Sequence, residues 1–174
     1  MLENRTETTV DSAAPAEETM SCRMNVRSML RDPDHRETRS GGVTFRRVFS
    51  SDESDPFDEL EWEIREAEIK DDKGTVIFTQ DNVEVPKTWS MLATNIIGSK
   101  YVYGDVKKDE REKSLRQLIH RVTRTIADWG YDDGYFESKD DAEIFYRDLS
   151  WLCVNQYGAF NSPVWFNCGL FHQY

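Results

Sequence analysis

The chain has 174 residues, 38% of them hydrophobic and 32% charged, which suits one globular domain and is too short for a large enzyme. Its formal net charge is -11, and residues 50–85 contribute most of it, with thirteen Asp or Glu against three Lys or Arg; this balance argues against a general nucleic-acid-binding surface. Since no apolar run reaches the roughly eighteen residues needed to cross a bilayer, no membrane interaction is predicted and a cytoplasmic location is expected.

Residues 1–42 contain no aromatic side chain and few aliphatic ones, and they are rich in Ser, Thr, Glu and Arg. Such a composition cannot bury enough apolar surface to offset the loss of chain entropy on folding. We therefore predict a disordered tail over residues 1–42 and a folded domain over residues 43–174.

The first predicted elements are short strands. Val43–Phe49 has strand-forming residues, and residues 61–70 alternate apolar and charged side chains until the alternation slips at Ala67, which indicates a β-bulge. Turn residues at Asp71–Gly74 and the β-branched residues that follow predict a hairpin. A further turn is expected at residues 81–82, before an extended run that ends at Pro86.

Helical patterns follow the hairpin. Thr88 is predicted to cap a helix that ends at Gly98. A second helix has Asp109 and Glu112 as a capping pair and Gly130 as its end. Its apolar stripe consists of Leu115, Leu118, Ile119, Val122, Ile126 and Trp129.

A last long helix is predicted to open at Ser138 and to end near Gly158. The short link between it and the helix before it predicts an antiparallel pair that packs on the hairpin. The fold class is therefore α+β, with a β-hairpin and short strands followed by an antiparallel helical region.

The stretch AFNSPVWFNCG, residues 159–169, is the strongest candidate for a site. Pro163 disfavours helix at the residue before it, so Ser162 is expected to be extended and to offer its hydroxyl to a polar ligand. Phe160, Trp165 and Phe166 would form an apolar wall beside it. The alternative is a packed turn whose hydroxyl satisfies local backbone groups.

Other reactive side chains have weaker patterns. The three cysteines, Cys22, Cys153 and Cys168, are far apart, so they predict neither a disulfide framework nor a zinc site. His120 lies beside the apolar stripe without an acidic or cysteine partner one turn on, which favours a structural role. No catalytic residue and no metal ligand is assigned.

Five blocks occur in order along the chain: GTVIFTQDNVEVPKTWS, ATNIIGSKYVYG, REKSLRQLIHRV, ADWGYDDGYF and AFNSPVWFNCGL. Their order and spacing closely resemble the N-terminal region of the class II, coenzyme-B12-dependent ribonucleotide reductases. The resemblance extends over about residues 43–174, and the NSPVWFN block is its most specific part.

This resemblance implies an enzyme that reduces the 2′-hydroxyl of a ribonucleoside diphosphate or triphosphate, for DNA synthesis. Adenosylcobalamin would generate a thiyl radical, and a thioredoxin-type protein would supply reducing equivalents. In that family the serine of the NSP block contacts the nucleotide, which implies a substrate-binding role for Ser162. Asn161 and Pro163 would support it.

In that family a ten-stranded α/β barrel carries the radical and reducing cysteines and the cobalamin site, all after the NSPVWFN block. We therefore expect this chain to be truncated before the barrel, to be inactive alone, and to act with the remainder of the reductase polypeptide. A non-catalytic helical protein-interaction module is the alternative. Barrel-coding sequence directly downstream in the genome would favour the reductase.

Overall fold

A computed structural model describes residues 41–108 and 110–173. All but the last two residues of the predicted tail (1–42), and Asp109 of the predicted capping pair, lie outside these residues. The elements in chain order are β1 (Trp62–Lys70), β2 (Val76–Pro86), α1 (Met91–Ile96), a π-helical turn (Ile97–Tyr101), α2 (Leu115–Asp132), α3 (Lys139–Val154), α4 (Ser162–Asn167) and α5 (Leu170–Gln173).

The predicted hairpin is confirmed. Strands β1 and β2 pair antiparallel, with a register that runs from Trp62 opposite Pro86 to Lys70 opposite Val76. The Asp71 carboxylate accepts the Thr75 N–H at 2.8 Å and so closes the turn. Gly74 has a φ of +84°, a conformation that glycine adopts without steric cost.

An irregularity near Ala67 is also confirmed, but the extra residue belongs to β2. The pairs Arg65–Val83 and Ala67–Gln80 leave two β2 residues opposite one β1 residue. One of these two, Asn82, has a φ of +58°, as bulge residues often do. The turn predicted at residues 81–82 is therefore a bulge inside a strand that continues to Pro86.

The strand predicted at Val43–Phe49 is wrong. Val43 makes only an isolated bridge with Phe136, and residues 44–49 belong to no strand. Carboxylates of α3 accept several of its backbone N–H groups: Asp141 binds the N–H of Phe45 at 2.7 Å, and Asp148 binds those of Val48 and Phe49 and of the following Ser50. The segment lies along a helix, so its strand-forming residues find no sheet edge.

Helix α1 begins later than predicted. Ser90, and not Thr88, is its N-cap, and the Ser90 hydroxyl accepts the Ala93 N–H at 3.1 Å. Gly98 does not end the helix but lies inside the π-helical turn. A Cβ at Gly98 would stand 2.6 Å from the Cβ of Ala67 on β1, so glycine is needed here for close packing.

The two long helices occur where the apolar stripes predict them. Ser114 caps α2 through a capping box with Gln117, so the capping pair predicted from Asp109 and Glu112 is not the one that opens the helix. Gly130 lies inside α2 and does not end it. The ring of Phe136 packs where a Cβ at residue 130 would stand, which explains the glycine there. Ser138 caps α3 as predicted.

Helices α2 and α3 run antiparallel. Arg124 contacts Glu143, while His120, one turn earlier on α2, contacts Tyr146, which is later on α3. Both helices and the hairpin contribute to one core, and α4 closes it. The buried residues of this core include Ala67, Val83, Val85, Leu115, Leu118, Ile119, Val122, Cys153, Val154 and Trp165. The architecture is α+β, as predicted.

The sheet in the described part of the chain has two strands, and no ten-stranded barrel lies within these residues. No helix among them has the length and apolar character that crossing a membrane requires.

Candidate functional site

The Ser-Pro corner, defined here as residues 160–168, consists of a short extended entry and helix α4. Asn161 is extended, with φ -69° and ψ 159°, and its side chain makes no cap hydrogen bond. Ser162 is already the first helical residue, and Pro163 follows it in the first turn. The prediction that Pro163 keeps Ser162 out of helix is therefore wrong. Proline fits the first turn because the N–H it lacks would have no partner inside the helix.

The hydroxyl of Ser162 lies 3.0 Å from the hydroxyl of Tyr101, at the end of the π-helical turn. Ser162 is half-buried. The local alternative, in which the serine satisfies nearby backbone groups, is not what the structure shows, since its partner is a side chain 61 positions away. Two hydroxyl groups from distant parts of the chain thus form one polar pair at the surface of the core.

The predicted aromatic wall divides into two groups. Trp165 is buried and meets Phe160 edge to face at 5.4 Å between ring centroids. Phe166 remains 41% exposed and contacts the ring of Tyr101 at 5.4 Å. Phe160 and Trp165 therefore belong to the core, and only Phe166 and Tyr101 form an apolar edge near the Ser162 hydroxyl.

Arg121 of α2 binds the corner from its buried side. Its side chain is 1% exposed, and its Nε donates to the carboxylate of Glu112 at 2.7 Å. Its terminal nitrogens donate to the carbonyl oxygens of Cys168 at 2.7 Å, Trp165 at 3.2 Å and Tyr101 at 3.3 Å. Because a buried guanidinium is stable only when its donors are paired, these contacts hold α4 and the π-helical turn in one arrangement.

The Glu112 carboxylate extends this network to the loop between the π-helical turn and α2. Its second oxygen accepts the N–H of Tyr103 at 2.8 Å. The neighbouring Arg111 donates to the Gln80 side chain at 2.7 Å and to the Gly98 carbonyl at 2.5 Å. Strand β2, the loop and the corner are therefore joined by buried polar contacts.

Gly169 brings the end of the corner against α2. It has a φ of +83°, and a Cβ there would stand 2.6 Å from the carbonyl oxygen of Arg121 and from the hydroxyl of Thr125. Only glycine satisfies both the backbone angle and this distance. The close approach places the Cys168 carbonyl within reach of the Arg121 side chain.

A cavity of about 260 Å³ lies beside the corner. Its lining is mainly apolar and includes the rings of Trp89, Tyr101 and Trp165, together with Leu118 and Cys153. Tyr101 thus borders the cavity and also reaches Ser162. In the part of the chain that the structure describes, no group of three or more His, Cys, Asp or Glu residues could hold a metal ion.

The described thiols, Cys153 and Cys168, are both buried. Burial raises the pKa of Cys153 to about 11. Burial also raises the pKa of Cys168, although the charge of Arg121 partly opposes it. Both thiols are therefore protonated at neutral pH and are poor nucleophiles. Cys22 lies outside the described residues.

His120 is also structural, and its partner is Tyr146, whose hydroxyl lies 2.8 Å from Nδ1. Burial, assisted by the charge of Arg124, lowers the pKa of His120. A neutral imidazole is therefore favoured in the folded chain.

Sequence reasoning missed the residues that hold the corner in place: Arg121, Glu112 and Tyr101. Arg121 gives a weak signal, because it flanks the apolar stripe of α2 one turn before Thr125, at a position where a surface arginine is equally common. Glu112 was interpreted as a capping residue. Tyr101 has no signal of its own, since its contact with Ser162 depends on how the helices pack.

Comparisons with known proteins match most of the described residues to one family. A family model described as "Class II vitamin B12-dependent ribonucleotide reductase" matches residues 63–105 and 102–156, which contain the hairpin and helices α1 to α3. The Ser-Pro corner lies beyond the matched residues.

Curated relatives carry the name vitamin B12-dependent ribonucleotide reductase. One from Rhodopirellula baltica is 58% identical over 135 residues, which is 76% of this chain and 13% of the relative. Relatives from Streptomyces avermitilis and Streptomyces coelicolor are each 43% identical, over 76% of this chain and 14% of their own length. The chain thus spans about an eighth of the length of these relatives. It belongs to the class II vitamin B12-dependent ribonucleotide reductase family.

Proposed function

We propose that this chain acts as part of an enzyme that reduces the 2′-hydroxyl of a ribonucleoside diphosphate or triphosphate. Membership of the reductase family and 58% identity to a curated reductase support the proposal. The reaction would supply deoxyribonucleotides for DNA synthesis in the cytoplasm. The remainder of the reductase polypeptide and a thioredoxin-type reductant are its expected partners.

The contribution of this chain would be one wall of the substrate pocket, with the Ser162 hydroxyl in contact with the ribonucleotide. The observation that carries this assignment is the Tyr101–Ser162 pair, 3.0 Å apart and half-buried. Two hydroxyls offer two donors and four acceptor sites, and their mutual bond uses only one of each. The pair therefore retains hydrogen-bonding capacity for a polar ligand.

Asn161 and Pro163 would support the contact by fixing where α4 begins. Pro163 has a restricted φ, which favours the first turn of a helix. Asn161 supplies the extended entry before it. Anchoring by Arg121 then limits movement of the whole corner, as a positioning group requires.

Adenosylcobalamin does not fit the described residues. The cavity beside the corner, about 260 Å³, lies below the roughly 300–1,000 Å³ of pockets for drug-sized ligands, and a corrinoid is larger than such ligands. The cofactor and the thiyl radical chemistry are therefore assigned to the complete reductase and not to these residues.

The test uses the full-length reductase that contains this sequence, assayed with adenosylcobalamin and reductant. Ser162→Ala is expected to lower kcat/KM about tenfold, as the loss of one polar contact of about 1–1.5 kcal/mol would. Unchanged kinetics would remove Ser162 from the substrate pocket.

Tyr101→Phe is the matched variant, because it removes the partner hydroxyl and keeps the ring. If Tyr101 acts through Ser162, the double variant should be no slower than Ser162→Ala alone. Additive losses would mean that the two hydroxyls act independently.

A further inference from the structure

Three aromatic rings form a continuous stack on the surface, which we call the aromatic ladder: Phe49, Trp151 and Tyr157. The centroids of Phe49 and Trp151 are 5.5 Å apart with 19° between the ring planes, and those of Trp151 and Tyr157 are 5.4 Å apart with 28°. Phe49 is 45% exposed and Tyr157 is 76% exposed. Large aromatic surface is thus open to solvent at both ends of the ladder.

The first two rings are held in place by α3. The Asp148 carboxylate accepts the backbone N–H groups of Phe49 and its two neighbours, at 2.8 to 3.3 Å. The indole N–H of Trp151 donates to the carboxylate of Glu59 at 3.1 Å. Ser54 donates to the other oxygen of that carboxylate at 2.8 Å. The ladder is therefore preorganised and does not depend on a ligand for its shape.

The third ring is placed by the end of α3. The N–H groups of Gln156 and Tyr157 donate to the carbonyls of Cys153 and Leu152, at 3.2 Å and 2.9 Å, which is a Schellman motif. Gln156 occupies its left-handed position with a φ of +62°, where glycine is usual. This turn therefore holds a non-glycine residue in an unfavourable backbone conformation, and it positions the exposed Tyr157 against Trp151. Backbone strain of this kind is common at binding sites.

An acidic stretch of the chain contacts the ladder. Residues 50–61, which we call the acidic segment, contain six Asp or Glu and no Lys or Arg. Three of the six already have cationic partners: Asp52 pairs with Arg47, Asp58 with Arg116 and Glu61 with Lys87. Among the described ion pairs, Glu53, Asp55 and Glu59 have no such partner. One of them, Glu59, touches the ladder at Trp151. Glu53 and Glu59 are both exposed. An aromatic surface beside these carboxylates favours a cation and disfavours the phosphates of a nucleic acid.

Elsewhere in the chain, arginines cover aromatic rings. Arg116 lies 4.1 Å from the ring centroid of Trp62, and Arg124 lies 4.5 Å from that of Tyr146. Within the described residues, no arginine or lysine is found over a ring of the ladder. The ladder therefore has the aromatic face and the nearby negative charge of such a contact but not its cation.

We propose that the aromatic ladder and the acidic segment form a docking surface for an arginine-bearing segment of a partner protein. One guanidinium stacks on the outer face of Tyr157, and a second pairs with the exposed carboxylate of Glu59, which contacts the ladder at Trp151. Arginine suits both contacts, because its planar guanidinium stacks on aromatic rings and forms bidentate pairs with carboxylates. This surface is independent of the Ser-Pro corner and of the proposed substrate contact.

The experiment is an NMR titration of the full 174-residue chain with a short synthetic peptide of alternating glycine and arginine. We expect saturable shifts of the Trp151 indole N–H and of the amides at residues 155–158, with weak affinity that falls as salt is added. A matched glycine and glutamate peptide should cause no shift. The same titration with a single-stranded oligonucleotide tests the nucleic-acid alternative.

Tyr157→Ala is expected to weaken peptide binding about two- to fivefold, since exposed cation–π contacts are worth about 0.5–1 kcal/mol. Glu59→Gln should weaken it to a similar extent. Tyr135→Ala is the control, because Tyr135 is equally exposed at 67% but lies outside the ladder. Unchanged backbone spectra away from the substituted site would show that each variant remains folded.

Several results would overturn the proposal. They are the absence of saturable shifts at millimolar peptide, binding that Tyr135→Ala weakens as much as Tyr157→Ala, and binding of the oligonucleotide without the peptide. Concentration-dependent self-association that Tyr157→Ala abolishes would assign the ladder to a second copy of the chain and would equally exclude an arginine-bearing partner.

Discussion

The hairpin and the Ser-Pro corner use charged residues in opposite ways. The hairpin carries exposed pairs such as Lys87 with Glu61, 2.8 Å apart, in which both side chains are at least half exposed. The corner depends on Arg121 and Glu112, which are 1% and 0% exposed. Exposed pairs are screened by water and contribute little, whereas breaking a buried pair leaves a charge without compensation. A basic residue paired with a glutamate thus belongs to the solvated surface in one region and is a structural anchor in the other.

The largest effect should follow from breaking the buried pair. Arg121→Met leaves Glu112 buried and removes the donors to the carbonyls of Trp165 and Cys168. We expect the free energy of unfolding to fall by about 3–5 kcal/mol, measured by urea denaturation. The double variant Arg121→Met, Glu112→Leu should regain part of this loss, because it removes both charges. A loss below about 1 kcal/mol in the single variant would show that the pair is not an anchor.

A smaller effect should separate the two regions through their glycines. Gly169, which directly follows the corner, and Gly74 in the hairpin turn have nearly the same φ, +83° and +84°. A Cβ at Gly169 would stand 2.6 Å from the Arg121 carbonyl oxygen, whereas nothing lies within 4 Å of one at Gly74. We expect Gly169→Ala to cost about 2–3 kcal/mol and Gly74→Ala about 1 kcal/mol in unfolding free energy. Equal losses would contradict the close packing of the corner.

A pH series would show a further difference between the regions. Burial lowers the pKa of His120 on α2, so the unfolded chain binds the proton more strongly than the folded one. Its contribution to stability is therefore complete above the ordinary histidine pKa, near 6.5, and is lost as the pH falls towards the lower folded value.

The measurement is the unfolding free energy between pH 7 and pH 5, with His120→Asn as the comparison. The wild-type chain should lose more stability over this interval than the variant. In the hairpin, backbone N–H groups lower the pKa of Asp71, so its contribution is lost only below the ordinary aspartate range. If the unfolding free energy changed equally with pH in the wild-type chain and in His120→Asn, His120 would not be the group that causes the pH dependence.

The smallest effect is expected in the hairpin. Lys87→Met removes the exposed partner of Glu61, and we expect no change in unfolding free energy beyond experimental error. The hydrogen bond and charge of Lys87 lower the pKa of Glu61, but both groups are in contact with water. A clear loss of stability would show that the exposed pair resembles the buried one and would remove the contrast between the regions.

Local patterns predicted the long elements because their causes are local. Alternation up to Ala67 and turn residues at Asp71–Gly74 are sufficient for a hairpin, and the capping hydroxyl of Ser138 fixes the start of α3. The helical stripe from Leu115 predicted α2 for the same reason. The end of α2 was misplaced, because Gly130 is not a helix stop: it makes room for the ring of Phe136.

The failures have non-local causes. Val43–Phe49 was predicted as a strand from its residue types, but three of its N–H groups, at Phe45, Val48 and Phe49, are bound by carboxylates about 100 positions away. Gly98 was interpreted as a helix end, although its absent side chain serves to approach Ala67. At the corner, the sequence indicated which residues belong together, but the pairing of Ser162 with Tyr101 depends on tertiary packing.

The π-helical turn joins the two regions over a very short distance. Gly98 lies on the sheet at Ala67, and Tyr101, only three residues later, reaches the Ser162 hydroxyl. A larger side chain on that part of β1 would push this turn outward and carry the tyrosine with it. Mutations in the hairpin can therefore alter a hydroxyl that they never touch, and an activity screen of the complete reductase should include the sheet among its targets.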